Sequence, residues 1–251
     1  MHRFYLSAEQ CLGTNLVLSD REAHHARDVL RIHCGECVTV LNGAGQEFLC
    51  EVQGYDRGQA RLTVREKRCY PAPAGLITLL QAVPKGKLME AIIQKATELG
   101  ASRIVPLLSE RVVTQLDEEE AARKAEKWRL TAIEAIKQCG SPWLPRIEPP
   151  LTPGQFLART ESFELPLIAS LEPGSRPARE YFRDYCARQG RMPASVCVWV
   201  GPEGDFTPAE TEVIKSHGAL PITLGRLVLR SETAAIYCVS ILNYELQASA
   251  P

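Results

Sequence analysis

The spacing of apolar residues along the chain changes near residue 75. Before this point the apolar residues come in short strand-like runs, such as residues 37–41. After it, nearly continuous apolar runs alternate with stretches in which apolar residues recur every three or four positions. The first of these runs, residues 76–83, is typical of a strand that is covered on both faces. The pattern therefore predicts two regions of different architecture.

The region before the change is predicted to be a small β-rich domain with one helix. Its strands are expected at residues 2–6, 15–18, 37–41, 46–55 and 59–69. The last two strands form a predicted hairpin around Asp56-Arg57-Gly58. Ser19 and Glu22 have the spacing of a capping box, so a helix is expected from there to about Ile32.

The region after the change is predicted to alternate between strands and helices. Further strands are expected at residues 103–108, 165–171, 196–200 and 221–224. Helices are expected at residues 85–99, 117–139, 176–188, 208–217 and 233–247. Such alternation predicts an α/β fold with a mostly parallel sheet.

A proline-rich segment separates the two regions. Pro71, Pro73 and Gly75 interrupt any strand ladder, because proline lacks the N–H that a ladder needs. We therefore expect a linker at residues 71–75, with one domain at residues 1–70 and the other at residues 76–251.

The overall composition is that of an ordinary globular protein. Hydrophobic residues make up 45% of the 251 residues, charged residues 24%, and the net charge is −1. This balance argues against a generally basic nucleic-acid binder, so any RNA contact must come from local patches. No apolar run approaches the length of a membrane span, and the N-terminus does not resemble a signal peptide. A cytoplasmic location is expected.

The nine cysteines are scattered, and a disulfide framework is not expected in such a chain. Cys34 and Cys37 have CxxC spacing, but the nearby histidines do not complete a standard zinc pattern. We interpret these cysteines as structural and expect no metal.

The strongest local motif is a buried strand at residues 196–200 that enters Gly201-Pro202-Glu203-Gly204. A helix follows at once, with Thr207 as its cap, Pro208 in its first position and Glu210 completing a capping box. Ligands of open α/β sheets bind beyond the carboxyl ends of the strands, and glycine lets the backbone approach them closely. The motif favours a ligand site, and the alternative is a tight turn without a ligand.

A second loop combines apolar and charged residues. Leu227, Val228 and Leu229 lie between Arg226 and Arg230, and Glu232 follows before the last helix. This composition suits a ligand with a flat apolar part and polar ends. The alternative is a buried connector in which the arginines and the glutamate pair with each other. The chain contains neither a Rossmann G-x-G-x-x-G nor a P-loop motif.

These segments together resemble the RsmE family of 16S ribosomal RNA uridine methyltransferases, within the SPOUT superfamily. Gly201-Pro202-Glu203-Gly204 followed by Leu229-Arg230-Ser231-Glu232-Thr233-Ala234 is highly specific as a pair. The other matching stretches follow in the same order along the chain: Arg3–Tyr5, His25, Val29–Arg31, residues 85–100, Ser109–Arg111, Glu134–Ala135, Gln138 and Leu224–Gly225.

The resemblance implies a fold and an activity that the residue patterns do not show. It implies an N-terminal PUA-like β-barrel and a C-terminal SPOUT α/β domain with a deep trefoil knot, which general topology rules disfavour. It implies a homodimer that binds S-adenosylmethionine and methylates N3 of one uridine, uridine 1498, in the 16S ribosomal RNA of the small subunit.

The resemblance also assigns residues by matching position. It assigns cofactor binding to Gly201, Glu203, Gly204, Leu224, Gly225, Leu229, Thr233 and Ala234. Arg230 and Glu232 become the candidates for catalysis or substrate positioning. Arg3, Arg31 and Arg111 become candidates for RNA contact, with a structural ion pair as the open alternative for each.

The chain departs from the commoner family pattern at three positions. Asp205 stands where a second glycine is frequent, and Lys137 and Ser141 replace an acid and an arginine near Gln138. Because aspartate tolerates left-handed backbone better than most residues, the turn at Asp205 is expected to form.

Two rival functions stay open. One is a SPOUT enzyme that methylates a ribose 2′-hydroxyl with the same cofactor. The other is a non-catalytic RNA-binding factor, against which the intact Gly201–Gly204 and Leu229–Ala234 motifs argue.

Overall fold

The computed structural model describes residues 1–112 and 116–247. The chain divides into two compact units. The first unit comprises Met1–Ala72 together with Ile133–Leu144, and the second comprises Pro73–Ala132 and the chain from Pro145 onwards. A segment from the middle of the chain therefore completes the N-terminal unit.

The first unit contains a five-stranded sheet with the strand order β1-β3-β4-β5-β2. Its strands are β1 (Arg3–Tyr5), β2 (Asn15–Leu18), β3 (Cys37–Leu41), β4 (Gln46–Asp56) and β5 (Gln59–Cys69). The long strands β4 and β5 form the predicted antiparallel hairpin, while β1 pairs with β3 in parallel. Their inward residues form a core that includes Phe4, Leu16, Phe48 and Leu62.

The helix predicted from Ser19 to Ile32 is shorter and less regular than expected. Helix α1 covers only Asp20–His24, and a π-helical turn follows at His25–Val29. The expected capping box does not form, because the Ser19 side chain makes no capping hydrogen bond. Glu22 instead accepts hydrogen bonds from the Tyr5 N–H and from the ammonium of Lys137. Tertiary partners have thus replaced the local cap.

The segment Ile133–Leu144 joins the first unit through polar and backbone contacts. The Lys137 ammonium is buried and lies 2.8 Å from Glu22 Oε1 and 3.2 Å from Glu134 Oε1. Further along, the Leu144 N–H donates to the Gly43 carbonyl, and the Gly45 N–H donates to the Pro142 carbonyl. Gly45 has a φ of +81° and packs against the Trp143 indole, where any side chain would collide with the ring.

The second unit contains a six-stranded parallel sheet with the order β11-β9-β10-β6-β7-β8. Its strands are β6 (Leu76–Ala82), β7 (Arg103–Leu107), β8 (Arg146–Ile147), β9 (Leu165–Ala169), β10 (Ser195–Val200) and β11 (Leu220–Ile222). The central strands β6 and β10 are buried along almost their whole length. This confirms the predicted mostly parallel sheet.

Helices cover the sheet of the second unit on both faces. The helices of the chain after α1 are α2 (Leu88–Glu98), α3 (Glu118–Cys139), α4 (Pro153–Leu157), α5 (Ala178–Gln189), α6 (Pro208–Ser216) and α7 (Ser231–Gln247). Helix α7 packs against α2, α5, β6 and β10, while α4 packs against α6. A core around Phe156, Trp199 and Ile214 fills the α4–α6 side.

The sequence patterns did not predict β8 or α4. Strand β8 has only two residues, which is too short for a periodic pattern. Helix α4 begins with a capping box between Thr152 and Gln155, followed by Pro153 in the first position. Those cap residues are visible in the sequence and could have revealed the helix. Within the described ranges, none of the helices has the length and hydropathy that crossing a bilayer requires.

Candidate functional site

The carboxyl ends of β9 and β10 and the loop after β11 surround one pocket. It holds about 570 Å³ of empty space, part of it open to solvent. The lining residues come from the ends of β9 and β10, from the three loops and from the start of α7: Ala169, Ser170, Leu171, Val200, Gly201, Pro202, Glu203, Asp205, Leu224, Gly225, Leu227, Val228, Leu229, Ser231 and Ala234. This is the edge at which parallel sheets bind ligands.

The glycine-rich loop after β10 is held from both sides. The Lys85 N–H donates to Glu203 Oε1 at 3.1 Å, and the Arg111 guanidinium donates to the Gly204 carbonyl. A side chain at Gly201 would place its Cβ 2.6 Å from Asp205 Oδ1 and 3.0 Å from the Phe206 nitrogen. Only glycine fits there, because the backbone and Asp205 already occupy the space.

Asp205 adopts the left-handed conformation that its position predicts, with a φ of +61°. It closes a turn in which its N–H donates to the Pro202 carbonyl, and its own Oδ1 accepts the Phe206 N–H at 2.8 Å. Burial raises the pKa of the Asp205 carboxyl, although the Phe206 N–H and the charge of Arg111 act in the opposite direction. The side chain is thus a partly desolvated acid on the pocket wall.

A buried hydrogen-bond chain connects the two loops of the site. The Gln81 amide donates to the Ser231 hydroxyl at 2.9 Å, and that hydroxyl donates to the Gly201 carbonyl at 2.7 Å. The same Gln81 nitrogen also donates to the Ala82 carbonyl, which identifies it as the amide NH2 group. Because this nitrogen can only donate, the Ser231 hydroxyl accepts from it and donates onward to Gly201. The first residue of α7 is therefore joined to the first residue of the glycine-rich loop.

The predicted capping box at the start of α6 is confirmed. Thr207 Oγ1 accepts the Glu210 N–H, and the Glu210 side chain accepts the Thr207 N–H. Glu210 also accepts hydrogen bonds from the Ser109 hydroxyl and the Glu110 N–H. The cap thereby holds the loop after β7 beside the glycine-rich loop.

The second loop presents its apolar residues to the pocket and to solvent. Leu227 and Val228 line the pocket, yet their exposed fractions are 76% and 79%. Arg226, Arg230 and Glu232 form no ion pair with each other or with any other described residue. The alternative of a buried connector with internally paired charges does not match this arrangement.

Arg230 and Glu232, the catalytic candidates, flank the first residue of α7. Arg230 is exposed, Glu232 is half-buried, and neither lines the pocket. Both lie next to the lining residue Ser231, and Glu232 falls in the first turn of α7. A carboxylate in that position also stabilises the helix through its dipole.

Six of the eight residues assigned to cofactor binding line this pocket: Gly201, Glu203, Leu224, Gly225, Leu229 and Ala234. Gly204 and Thr233 lie beside it without lining it. Ser170, Leu171 and Ser231 also line the pocket, although the sequence motifs did not predict them as site residues. The first two follow β9 at its carboxyl end, so the rule that located the other loops applies to them as well.

The three arginines assigned to RNA contact lie in different surroundings. Arg3 donates to the Lys137 and Gln138 carbonyls at the end of α3, which satisfies the helix terminus. Arg111 holds the Gly204 carbonyl. Arg31 is exposed, has a φ of +53°, and its side chain forms no hydrogen bond or ion pair with another described residue.

All nine cysteines are free, and Cys34 and Cys37 are exposed. Within the described residues, no group of three or more His, Cys, Asp and Glu side chains is arranged to hold a metal ion.

Comparison with known proteins gives matches over nearly the whole chain. A model of the RNA methyltransferase domain matches residues 71–243, and one of the RNA methyltransferase PUA domain matches residues 18–65. Ribosomal RNA small subunit methyltransferase E of Synechocystis is 32% identical over 250 residues, which are 98% of this chain and 78% of the relative.

Two solved structures share this architecture. A methyltransferase from Legionella pneumophila, in complex with the bound cofactor SAM, is 34% identical with a TM-score of 0.85 and covers 98% of this chain and 97% of its own. Ribosomal RNA small subunit methyltransferase E from Neisseria gonorrhoeae, bound to S-adenosyl methionine, is 26% identical with a TM-score of 0.83 and covers 97% of both chains.

Proposed function

This chain belongs to the family of ribosomal RNA small subunit methyltransferase E, with an RNA methyltransferase domain and a PUA domain. From that premise, we propose that it transfers a methyl group from S-adenosylmethionine (SAM) to N3 of a uridine in 16S ribosomal RNA, at uridine 1498 by resemblance. The deep trefoil knot that the resemblance implies stays a prediction.

The observation that carries the proposal is the convergence of the two sequence motifs on one pocket. Loops that lie more than twenty residues apart in the sequence contribute Gly201 and Glu203 on one side and Leu224, Gly225 and Leu229 on the other. The relatives of known structure from Legionella and Neisseria were solved with SAM bound. This chain therefore has a pocket suited to SAM and is similar to proteins that bind it.

The lining suits SAM chemically. The leucine and valine side chains of residues 224–229 offer an apolar surface for a flat adenine, and the glycine-rich loops bring backbone N–H and C=O groups to the wall. The charged side chains that line it, among the described residues, are the carboxylates of Glu203 and Asp205. These acids fit a ligand that carries a net positive charge.

When bound, SAM supplies an activated methyl carbon on its sulfonium sulfur. The uracil N3 can attack this carbon only after losing its proton, because the protonated imide is a poor nucleophile. Arg230 stabilises the negative charge that develops on a uracil oxygen, a preorganised electrostatic role. Glu232 is our candidate for the group that accepts the N3 proton.

We assign RNA binding to the PUA unit and to the arginines at its surface. Arg31 has a free and exposed guanidinium within the described chain, so it is available to a phosphate. Arg3 and Arg111 already hold backbone carbonyls, and an RNA contact by them would have to use their remaining donors. The proposed location of the whole protein is the cytoplasm, where small-subunit RNA is methylated.

We expect the protein to be a homodimer. Helix α7 buries Ala235, Val239 and Leu242 but leaves Tyr237 and Tyr244 exposed at 46% and 66%. Such apolar exposure on a helix that is apolar on several sides indicates a protein partner. Light scattering should give twice the chain mass of 27.8 kDa. The monomer mass throughout the micromolar range would contradict the expectation.

Gly201→Ala should weaken SAM binding about tenfold or more, since the added Cβ displaces the loop at a cost of about 1–3 kcal/mol. Gly154→Ala is the matched control, because a Cβ there meets nothing closer than 4.0 Å. Calorimetry on the full-length protein measures both. Equal affinities for the two variants would show that the glycine-rich loop does not form the cofactor site.

The experiment that tests the function is methylation of small-subunit RNA with labelled SAM, followed by nuclease digestion and mass spectrometry. A methyl group on a uracil N3 is the expected result. A methyl group on a ribose 2′-oxygen would support the rival SPOUT activity instead. Binding of RNA without SAM binding or methyl transfer would favour the non-catalytic factor.

A further inference from the structure

The pocket carries an uneven distribution of charge. Glu203 and Asp205 line it, whereas no Lys, Arg or His side chain does so among the described residues. The two carboxylates differ in solvent exposure and in hydrogen bonding. Glu203 is exposed to solvent and accepts the Lys85 N–H, which occupies one of its oxygens. Asp205 is partly buried and therefore less screened by water.

One oxygen of Asp205 remains available to a ligand. Oδ1 accepts the Phe206 N–H at 2.8 Å, while Oδ2 has no hydrogen-bond partner in the described part of the chain. The Arg111 guanidinium, a neighbouring cation, donates to the Gly204 carbonyl and not to the carboxylate. The neighbouring acid Glu172 is already paired with the Lys215 ammonium at 2.6 Å. Asp205 is thus an acid on the pocket wall without an ion-pair partner.

SAM and its product differ in one charge. SAM has a carboxylate, an ammonium and a sulfonium, which gives a net charge of +1. In S-adenosylhomocysteine (SAH) the electron pair of the broken methyl–sulfur bond stays on sulfur, so the sulfonium becomes a neutral thioether and the net charge is zero. A free carboxylate on the pocket wall would therefore attract the cationic cofactor more strongly than its neutral product.

We propose that Asp205 makes the site selective for the cationic SAM over the neutral SAH, and so favours release of the product after each methyl transfer. This inference rests on the proposed function, because it assumes that SAM occupies this pocket. It concerns a residue that acts through its charge on the cofactor and takes no part in moving a proton. Asp205 is accordingly a specificity residue of the cofactor site.

Asp205→Asn is the variant that isolates the charge. Asparagine keeps the size of the side chain, tolerates the left-handed backbone and still accepts the Phe206 N–H through its carbonyl oxygen. Glu212→Gln is the matched control, since it removes one negative charge from an exposed position on α6 that does not line the pocket. Both variants are made in the full-length chain.

Calorimetry with SAM and with SAH gives the test. The wild-type protein and Glu212→Gln should bind SAM about tenfold more tightly than SAH, which corresponds to about 1.4 kcal/mol. Asp205→Asn should lose most of this preference through weaker SAM binding, with the SAH affinity nearly unchanged. Raising the salt concentration should reduce the preference in the wild type, as expected of a partly exposed charge interaction.

The outcomes separate the inference from the function on which it rests. If Asp205→Asn weakens SAM and SAH equally, the carboxylate holds the shared ammonium or shapes the loop, and the selectivity role is overturned. Unchanged affinities for both ligands would overturn it as well. If the wild type binds neither ligand, the proposed function itself fails and the inference fails with it.

Discussion

Replacing Arg230 by alanine is expected to lower the turnover number about a hundredfold or more, the scale seen when a transition-state donor is lost. The SAM affinity should change little, because the Arg230 side chain does not line the pocket. Single-turnover kinetics with small-subunit RNA, together with SAM calorimetry, measure the two effects separately.

The physical basis is the position of Arg230 in the chain. Arg230 directly precedes Ser231, the first residue of α7, so it lies at the positive end of the helix dipole. No described residue pairs with it, and its donors are free for a substrate oxygen. Two sources of positive potential therefore meet where the loop leaves the pocket, and under the proposed mechanism both would stabilise an anionic uracil.

A pH profile and a neighbouring arginine make the test specific. Higher pH should partly restore the turnover of Arg230→Ala, because alkali ionises the imide that the enzyme no longer stabilises. Arg226→Ala removes the same charge from the same exposed loop and should mainly raise KM for RNA. Wild-type turnover by a folded Arg230→Ala protein that binds both ligands would exclude the proposed role.

Glu232→Gln is the companion variant to Arg230→Ala. If Glu232 accepts the N3 proton, the variant should lose activity and keep its thermal stability. If the carboxylate only favours the start of α7, the variant should lose about 0.3–1 kcal/mol of stability and remain active.

Glu22→Gln should destabilise the folded protein by up to about 3–5 kcal/mol, the range for breaking a buried ion pair from one side. Glu134, which lies 3.2 Å from the Lys137 ammonium, still offsets part of its charge. The side chain of Lys137 is only 7% exposed, and the substitution removes the carboxylate closest to its ammonium. Glutamine has nearly the same shape as glutamate and can still accept the Tyr5 N–H. The loss of stability therefore measures the removed charge of Glu22. Urea unfolding of the full-length protein gives the free energy.

The same cluster supplies the controls for this second prediction. Glu134 also contacts Lys137 but is 42% exposed, so Glu134→Gln should cost less than about 1 kcal/mol. The double variant Glu22→Gln with Lys137→Met removes both charges, keeps an acceptor for the Tyr5 N–H and should recover much of the stability. A loss below 1 kcal/mol for Glu22→Gln would mean that water reaches the lysine in the native protein.

The sequence predicted the second unit better than the first. Strands such as β6 and β10 are buried on both faces, and their continuous apolar runs signal this directly. The helix after Ser19 was predicted too long, because the spacing of Ser19 and Glu22 suggested a capping box. In the structure Glu22 instead accepts a hydrogen bond from Lys137, which lies more than a hundred residues away in the sequence. Such a tertiary partner leaves no mark in the neighbouring sequence.

The candidate site shows the same limit. The glycine-rich loop could be located because its chemistry is local: a strand end, glycines and a capped helix. Ser231 was not predicted as a site residue. Its hydroxyl connects the two loops through hydrogen bonds with the Gln81 amide and the Gly201 carbonyl, which come close to it only in the folded sheet. Residues that act through distant partners require the structure, whereas residues that shape their own loop can be predicted from sequence.

The discontinuous composition of the first unit has a consequence for synthesis on the ribosome. Residues 1–72 emerge first, but the segment Ile133–Leu144 that pairs with Glu22 and with Gly43 to Gly45 follows only after 60 further residues. At a translation rate of roughly 5–20 residues per second, the nascent sheet waits roughly 4 to 14 seconds for residue 144. During this interval Glu22 has no buried ammonium beside it, and the turn at Gly43–Gly45 lacks its hydrogen-bond partners at residues 142–144. The N-terminal unit is thus made first and completed late.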